Sequence, residues 1–218
     1  MVAPVTQLHS PAQEIERLQS LFAKQKAAFR HTPMPTAKAR IEQLNKLKAA
    51  VIRHQDSIAS AVNEDFSCRA KDETLIAEIM ITVQSLNYMI KNVRKWMRPS
   101  RRHVSALFAP SFNQVVYQPL GVVGIMVPWN YPIQLAIVPL ATAIASGNRA
   151  MIKMSEFTPH TSALFKEIIE SMFPEDLVSV ITGEADVAAD FSQRPFDHLL
   201  FTGSTSVGKL VMRAAAEN

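Results

Sequence analysis

Val122-Val123-Gly124-Ile125-Met126-Val127-Pro128-Trp129-Asn130-Tyr131-Pro132 is the stretch on which the fold turns. Its first six residues are apolar, uncharged and rich in β-branched side chains, which predicts a buried strand. Pro132 suits the first position of a helix, where its missing N–H costs nothing. Asn130 is therefore expected at the carboxyl end of a strand, the edge at which open α/β sheets bind ligands. A primary amide there has two uses. It can donate to an oxygen that turns negative during acyl chemistry, or it can cap the helix that follows, as Asn commonly does.

Downstream and upstream of this stretch the pattern alternates. A short strand, Val115-Val116-Tyr117, ends at Pro119. Strands are then expected at 122–127, 150–153, 177–182 and 198–202, and helices at 132–146, 159–173, 186–192 and 205–216. Thr158-Pro159 marks one helix start. Such alternation predicts parallel βαβ units and a doubly wound sheet. Gly203-Ser204-Thr205-Ser206-Val207-Gly208 opens the last of these helices. Its N–H groups and positive dipole end suit an anion such as a pyrophosphate. The spacing is not G-x-G-x-x-G, so the turn alone does not single out a dinucleotide.

The first half of the chain has a different period. All six glycines, at 121, 124, 147, 183, 203 and 208, lie after Leu120. Helices are expected over 12–30 (Ile15, Leu18, Phe22, Phe29 on one face), 36–66 (Ile41, Leu44, Leu47, Val51, Val62) and 72–97 (Leu75, Ile79, Val83, Leu86, Ile90, Val93). His31-Thr32-Pro33-Met34-Pro35 separates the first two, and Asp56 can restart the second. The expected organisation is a helical part over 1–112 and a βαβ part over 113–218 that suits a nucleotide.

Composition narrows the class. The chain has 218 residues, 48% of them hydrophobic, a net charge of +4 and one cysteine, so no disulfide framework is expected. The first ten residues lack the pattern of a secretory signal, and no run is long and apolar enough to span a membrane. A cytoplasmic protein is expected. The basic run Lys91, Arg94, Lys95, Arg98, Arg101, Arg102 and His103 admits a nucleic-acid or membrane-surface role. A solvated face near a helix end explains it better, because no aromatic stacking pattern accompanies it. No nucleic-acid partner is expected, and the six histidines show no ligand spacing, so no metal is expected either.

The Asn130 stretch, Lys153-Met154-Ser155-Glu156-Phe157-Thr158-Pro159 and Phe201-Thr202-Gly203-Ser204-Thr205-Ser206-Val207-Gly208, in this order and spacing, resemble the NAD(P)-dependent aldehyde dehydrogenase superfamily. Phe196-Asp197-His198 is most similar to the branch containing coniferyl, fatty and aromatic aldehyde dehydrogenases. The resemblance implies a Rossmann-like fold that binds NAD, with NADP as the alternative, and oxidation of an aldehyde, coniferyl aldehyde among the candidates, to its acid. It makes Asn130 the oxyanion-hole amide. Trp129 would line the cofactor groove, Lys153 and Glu156 would contact the adenosine ribose, and Gly203, Ser204 and Gly208 would form the phosphate turn. Val127, Gly183 and Val207 are also implied as cofactor-binding positions. Met154 departs from the proline common in the family, which makes that turn less stiff. The family's nucleophilic cysteine and general-base glutamate are implied in a segment that would follow Asn218. This chain is then a truncated N-terminal part without the catalytic domain, expected to be inactive alone, and a full-length version is expected to be a homodimer. Cys68 lies too far upstream to be that nucleophile and reads as a helix-end or core thiol. The alternative is a non-catalytic nucleotide-binding or interaction chain.

Overall fold

The computed structural model describes residues 10–218. The expectation that residues 1–9 hold no secretory signal lies outside the described residues. Helix α1 (Pro11–His31) begins with a reciprocal cap: the Ser10 N–H donates to Gln13 Oε1 at 2.9 Å, and the Gln13 N–H donates to Ser10 Oγ at 3.4 Å. The proline-rich link then ends it. The stretch expected as one helix over 36–66 is two, α2 (Ala37–Arg53) and α3 (Gln55–Phe66), with Asp56 in the first turn of α3. After a left-handed Ser67 come α4 (Lys71–Thr74), a π-helical turn (Leu75–Met80) and α5 (Ile81–Trp96) in unbroken succession.

Strand β1 (Ser100–Arg102) pairs antiparallel with β2 (Asn113–Val115). The strand expected at 115–117 thus lies slightly upstream, and its partner comes from the basic run. The main sheet comprises β3 (Val122–Met126), β4 (Arg149–Lys153), β5 (Val178–Ile181) and β6 (His198–Phe201), all parallel, in the order β5-β4-β3-β6. They are linked through α6 (Gln134–Ser146), α7 (Pro159–Met172) and α8 (Ala185–Ser192), and α9 (Thr205–Ala215) follows β6.

Side-chain alternation splits the core in two. Val123, Ile125 and Val127 pack with α6 and α7 and with Leu44, Leu47, Leu86 and Val93 of the N-terminal helices. Val122 and Met126 face the other way, onto Leu18 and Leu21 of α1 and Val187 and Phe191 of α8. The sheet is therefore covered on both faces, which is why β3 reads as a continuous apolar run. The chain goes from β3 outward to β5 and then returns to the far side of β3, so the winding reverses between β3 and β6. Among the described residues no helix is long and apolar enough to cross a membrane.

One buried amide straps α1 to the sheet. Gln25 is fully buried, and its Nε2 donates to Ala150 O at 3.1 Å, Glu175 O at 3.0 Å and Ser179 Oγ at 3.1 Å. Gln25→Leu keeps the volume but leaves these acceptors without their donor. Each orphaned buried group costs about 1–3 kcal/mol, so the variant should lose at least about 2 kcal/mol. Urea unfolding of the two chains measures the loss, and a difference below about 0.5 kcal/mol, the range of neutral surface changes, would refute it.

Candidate functional site

Four strand ends meet along one edge. The parallel ladders finish with the Val127 N–H on Lys153 O at 3.0 Å, the Met154 N–H on Ile181 O at 3.0 Å and the Thr202 N–H on Met126 O at 3.3 Å. Beyond them, in spatial order, come Gly183, then Lys153 to Glu156, then Val127 to Asn130, then Gly203 to Gly208. The last two flank the point where the winding reverses, and such points form crevices at the carboxyl edge of open α/β sheets.

On β4's end, Lys153 is buried, with only 3% of its side chain accessible. Its Nζ donates to Met154 O at 2.7 Å and lies 3.6 Å from Glu156 Oε2. Burial pulls the Lys153 ammonium below its ordinary pKa, while Glu156 pulls it back up. Gly183 has φ +135°, a conformation that side chains rarely adopt, and a Cβ there would lie 2.7 Å from Val187 Cγ2. The turn after β6 is exposed. Ser204 caps α9 by accepting the Val207 N–H at 3.4 Å, while Gly208 bonds back to Ser204 O at 2.9 Å. The first-turn N–H groups of Thr205 and Ser206 have no intrahelical partner available. Gly203 also has a packing reason, because a Cβ there would strike Phe201 Cζ at 2.5 Å.

On β3's end, Val127 keeps its side chain in the core, whereas Trp129 and Asn130 are exposed. The capping alternative for Asn130 does not hold. Helix α6 starts at Gln134, two residues later than Pro132 suggested, and no side chain of its own segment caps it. The cap comes from across the molecule, where Glu78 Oε2 accepts the Ile133 N–H at 2.7 Å and the Gln134 N–H at 3.1 Å. The Asn130 side-chain amide is left without a hydrogen bond among the described residues, and its backbone carbonyl accepts from Arg69 NH1 at 2.7 Å.

Helix α7 is capped in the same manner. Asp65 of α3, whose side chain is inaccessible to solvent, takes the His160 N–H on Oδ1 at 3.0 Å and the Thr161 N–H on Oδ2 at 2.8 Å. Sequence periodicity missed Asp65, Arg69 and Glu78. Glu78 had one legible signal: it shares a helical row with Thr74 and Thr82, all fully buried, beside the apolar repeat. Cys68, read as a helix-end or core thiol, is the former; it is exposed just after the cap of α3.

A groove of about 990 Å³ lies elsewhere. Arg40, Tyr117, Leu120, Pro139 and His198 line it toward the opposite end of β3 and β6, and none of the strand-edge residues above contributes.

Comparison with known proteins places this edge in a family context. The model for the "Aldehyde dehydrogenase family" matches residues 5–218. A "Probable coniferyl aldehyde dehydrogenase" of Pseudomonas aeruginosa is 54% identical over 218 residues, covering 100% of this chain and 46% of its own length. A "Coniferyl aldehyde dehydrogenase" of a Pseudomonas species is 44% identical, covering 93% of this chain and 42% of its own. The solved structure titled "Substrate bound state of Staphylococcus Aureus AldH" superposes with a TM-score of 0.88 at 34% identity, over 92% of this chain and 44% of that one. The chain thus spans about half the length of the curated relatives it matches.

Burial pushes the Glu78 carboxyl above the usual glutamate range, against the pull of the Gln134 and Ile133 N–H groups and of Arg69. A raised folded pKa contributes stability that is fully present below the ordinary glutamate value and lost as pH rises through the folded value. The unmodified chain should therefore gain stability relative to Glu78→Gln as pH falls from neutrality toward the ordinary glutamate range. Unfolding curves of both chains across that range check it; a constant difference would mean that Glu78 does not titrate there.

Proposed function

The chain belongs to the aldehyde dehydrogenase family, and from that membership we propose that the whole protein oxidises an aldehyde, of the coniferyl or another aromatic type, to its carboxylic acid using NAD(P). The observation that carries this reading is the gathering of Asn130, Lys153, Glu156 and the Gly203 to Gly208 turn on one sheet edge beside the reversal of winding. The aromatic substrate is supported by the names of the two Pseudomonas relatives. The same reading makes the whole protein a cytoplasmic homodimer.

The residues present suit a dinucleotide. Lys153 and Glu156 set a cation and a carboxylate 3.6 Å apart, a donor and acceptor pair fitted to vicinal ribose hydroxyls. The exposed first turn of α9 offers backbone N–H groups and a positive dipole end to phosphate oxygens. Trp129, Val127, Gly183 and Val207 would complete the groove. Bound NAD(P) would supply the hydride acceptor. Asn130 would donate its free side-chain amide to the substrate oxygen as that oxygen becomes negative, a contribution of about 3–4 kcal/mol for one such donor.

Glu156 decides between the cofactors. A carboxylate at the ribose accepts from the 2′-hydroxyl of NAD and repels the 2′-phosphate of NADP. Calorimetric titration should give tighter binding of NAD than of NADP, and Glu156→Gln should narrow the gap. Equal or reversed affinities in the unmodified chain would refute the assignment.

The Asn130 amide alone does not oxidise an aldehyde. The family resemblance calls for a thiol nucleophile, and the sole cysteine, Cys68, sits exposed at the end of α3. The 218-residue chain, given NAD and coniferyl aldehyde, should produce no NADH above the protein-free control, with Cys68→Ser indistinguishable from it. NADH formation that disappears in Cys68→Ser would overturn this.

A further inference from the structure

Arg69 and Glu78 come from the connection between α3 and α5, far from Asn130 in sequence, yet they touch its own carbonyl and the helix start that follows it. Arg69 lies sandwiched between rings: its guanidinium carbon is 3.9 Å from the Phe66 ring centre and 5.0 Å from that of Tyr131. From there NH1 reaches Asn130 O at 2.7 Å and stands 3.6 Å from Glu78 Oε1. Glu78 uses its other oxygen on the Ile133 and Gln134 N–H groups. Its Oε1 is buried and has no hydrogen bond among the described residues, so the nearby guanidinium is the charge that compensates it. Trp129, on the remaining side of Asn130, packs its ring 6.0 Å from that of Phe66.

Glu78 is delivered by the π-helical turn Leu75–Met80 rather than by regular α-helix. Turns of this kind re-aim side chains and occur disproportionately at functional sites. What this one supplies is a fully buried carboxylate under the segment that carries Asn130.

We infer that Arg69 and Glu78 form a coupled pair of positioning residues for Asn130, the guanidinium fixing its carbonyl and the carboxylate fixing the helix start three residues later, so that the free amide is held in one direction. This rests on the assignment of Asn130 as the oxyanion donor. A donor that must meet developing charge gains from being fixed beforehand, because no reorganisation is then needed during reaction.

The test is backbone hydrogen exchange followed by mass spectrometry on the 218-residue chain, with peptides covering 128–136 as the local readout and peptides from β5 and α7 as the reference. Arg69→Met keeps the stem between the rings and removes the donor, and Arg69→Lys restores a charge and one donor. Exchange over 128–136 should accelerate about five- to tenfold in Arg69→Met, the scale of a lost cap, and return at least halfway in Arg69→Lys. Glu78→Gln keeps an acceptor for α6 and leaves Arg69 only the Glu73 carboxylate, 3.6 Å from its Nε, and should accelerate the same peptides less than Arg69→Met does. The Arg69→Met/Glu78→Gln double variant should be no faster than Arg69→Met, since coupled groups do not add. Unchanged local exchange in Arg69→Met, no rescue by lysine, strict additivity in the double variant, or equal acceleration in β5 and α7 would each overturn the pairing. NAD titration of the unmodified chain is read separately. Absence of NAD binding together with the expected exchange pattern would remove the proposed function and leave the clamp; the reverse result would remove only the clamp.

Discussion

A parallel sheet buried on both faces is the constraint from which the rest follows. Parallel strands need crossover helices, and a sheet with apolar side chains above and below must recruit helices to each face. Here α6 and α7 take one face and α8, with α1, takes the other. The chain can do this only by reversing its winding, between β3 and β6. At that reversal the chain leaves β3 and β6 for helices on opposite faces, α6 and α9, the arrangement at which open α/β sheets bind ligands, so the position of the candidate site is a consequence of how the core is covered.

The helical first part of the chain is more than a cover. Its apolar faces merge into the sheet's own core, and two of its buried acids, Asp65 and Glu78, close the N-termini of α7 and α6. A helix start leaves N–H donors without partners, and where such a start is buried the partner must come from elsewhere. Thr158 and Asn130, the local candidates for those caps, are not used. For Asn130 this has a chemical consequence: a cap would engage its Oδ1 and turn the amide toward the helix start, whereas the uncapped amide can aim its Nδ2 donors at a ligand. Tertiary capping and site availability are in this sense one interaction. The same economy applies to Ser204, which does cap its own helix; there the free donors are backbone N–H groups rather than the side chain.

The sequence alone determined the helical first part, the later alternation of strands and helices, and the parallel doubly wound class, because periodicities of 3.6 and 2 are local properties that burial imposes on every stretch it touches. It also placed Lys153 at a strand end and Asn130, Glu156 and Gly203 just after strands, since Gly, Pro and Asn punctuate strand ends for backbone reasons. Only the tertiary structure decided that these ends share one edge in the order β5-β4-β3-β6 and that α6 begins at Gln134, whereas the break of 36–66 at His54 falls beside Asp56, where the sequence allowed a restart. Arg69 and Glu78 were illegible for the same reason. Their partners lie 61 and 55 residues away, and a charged residue in a helix looks solvated in any local window until the chain returns to bury it. Pairing across such separations is fixed by packing, and packing is what a linear pattern does not contain.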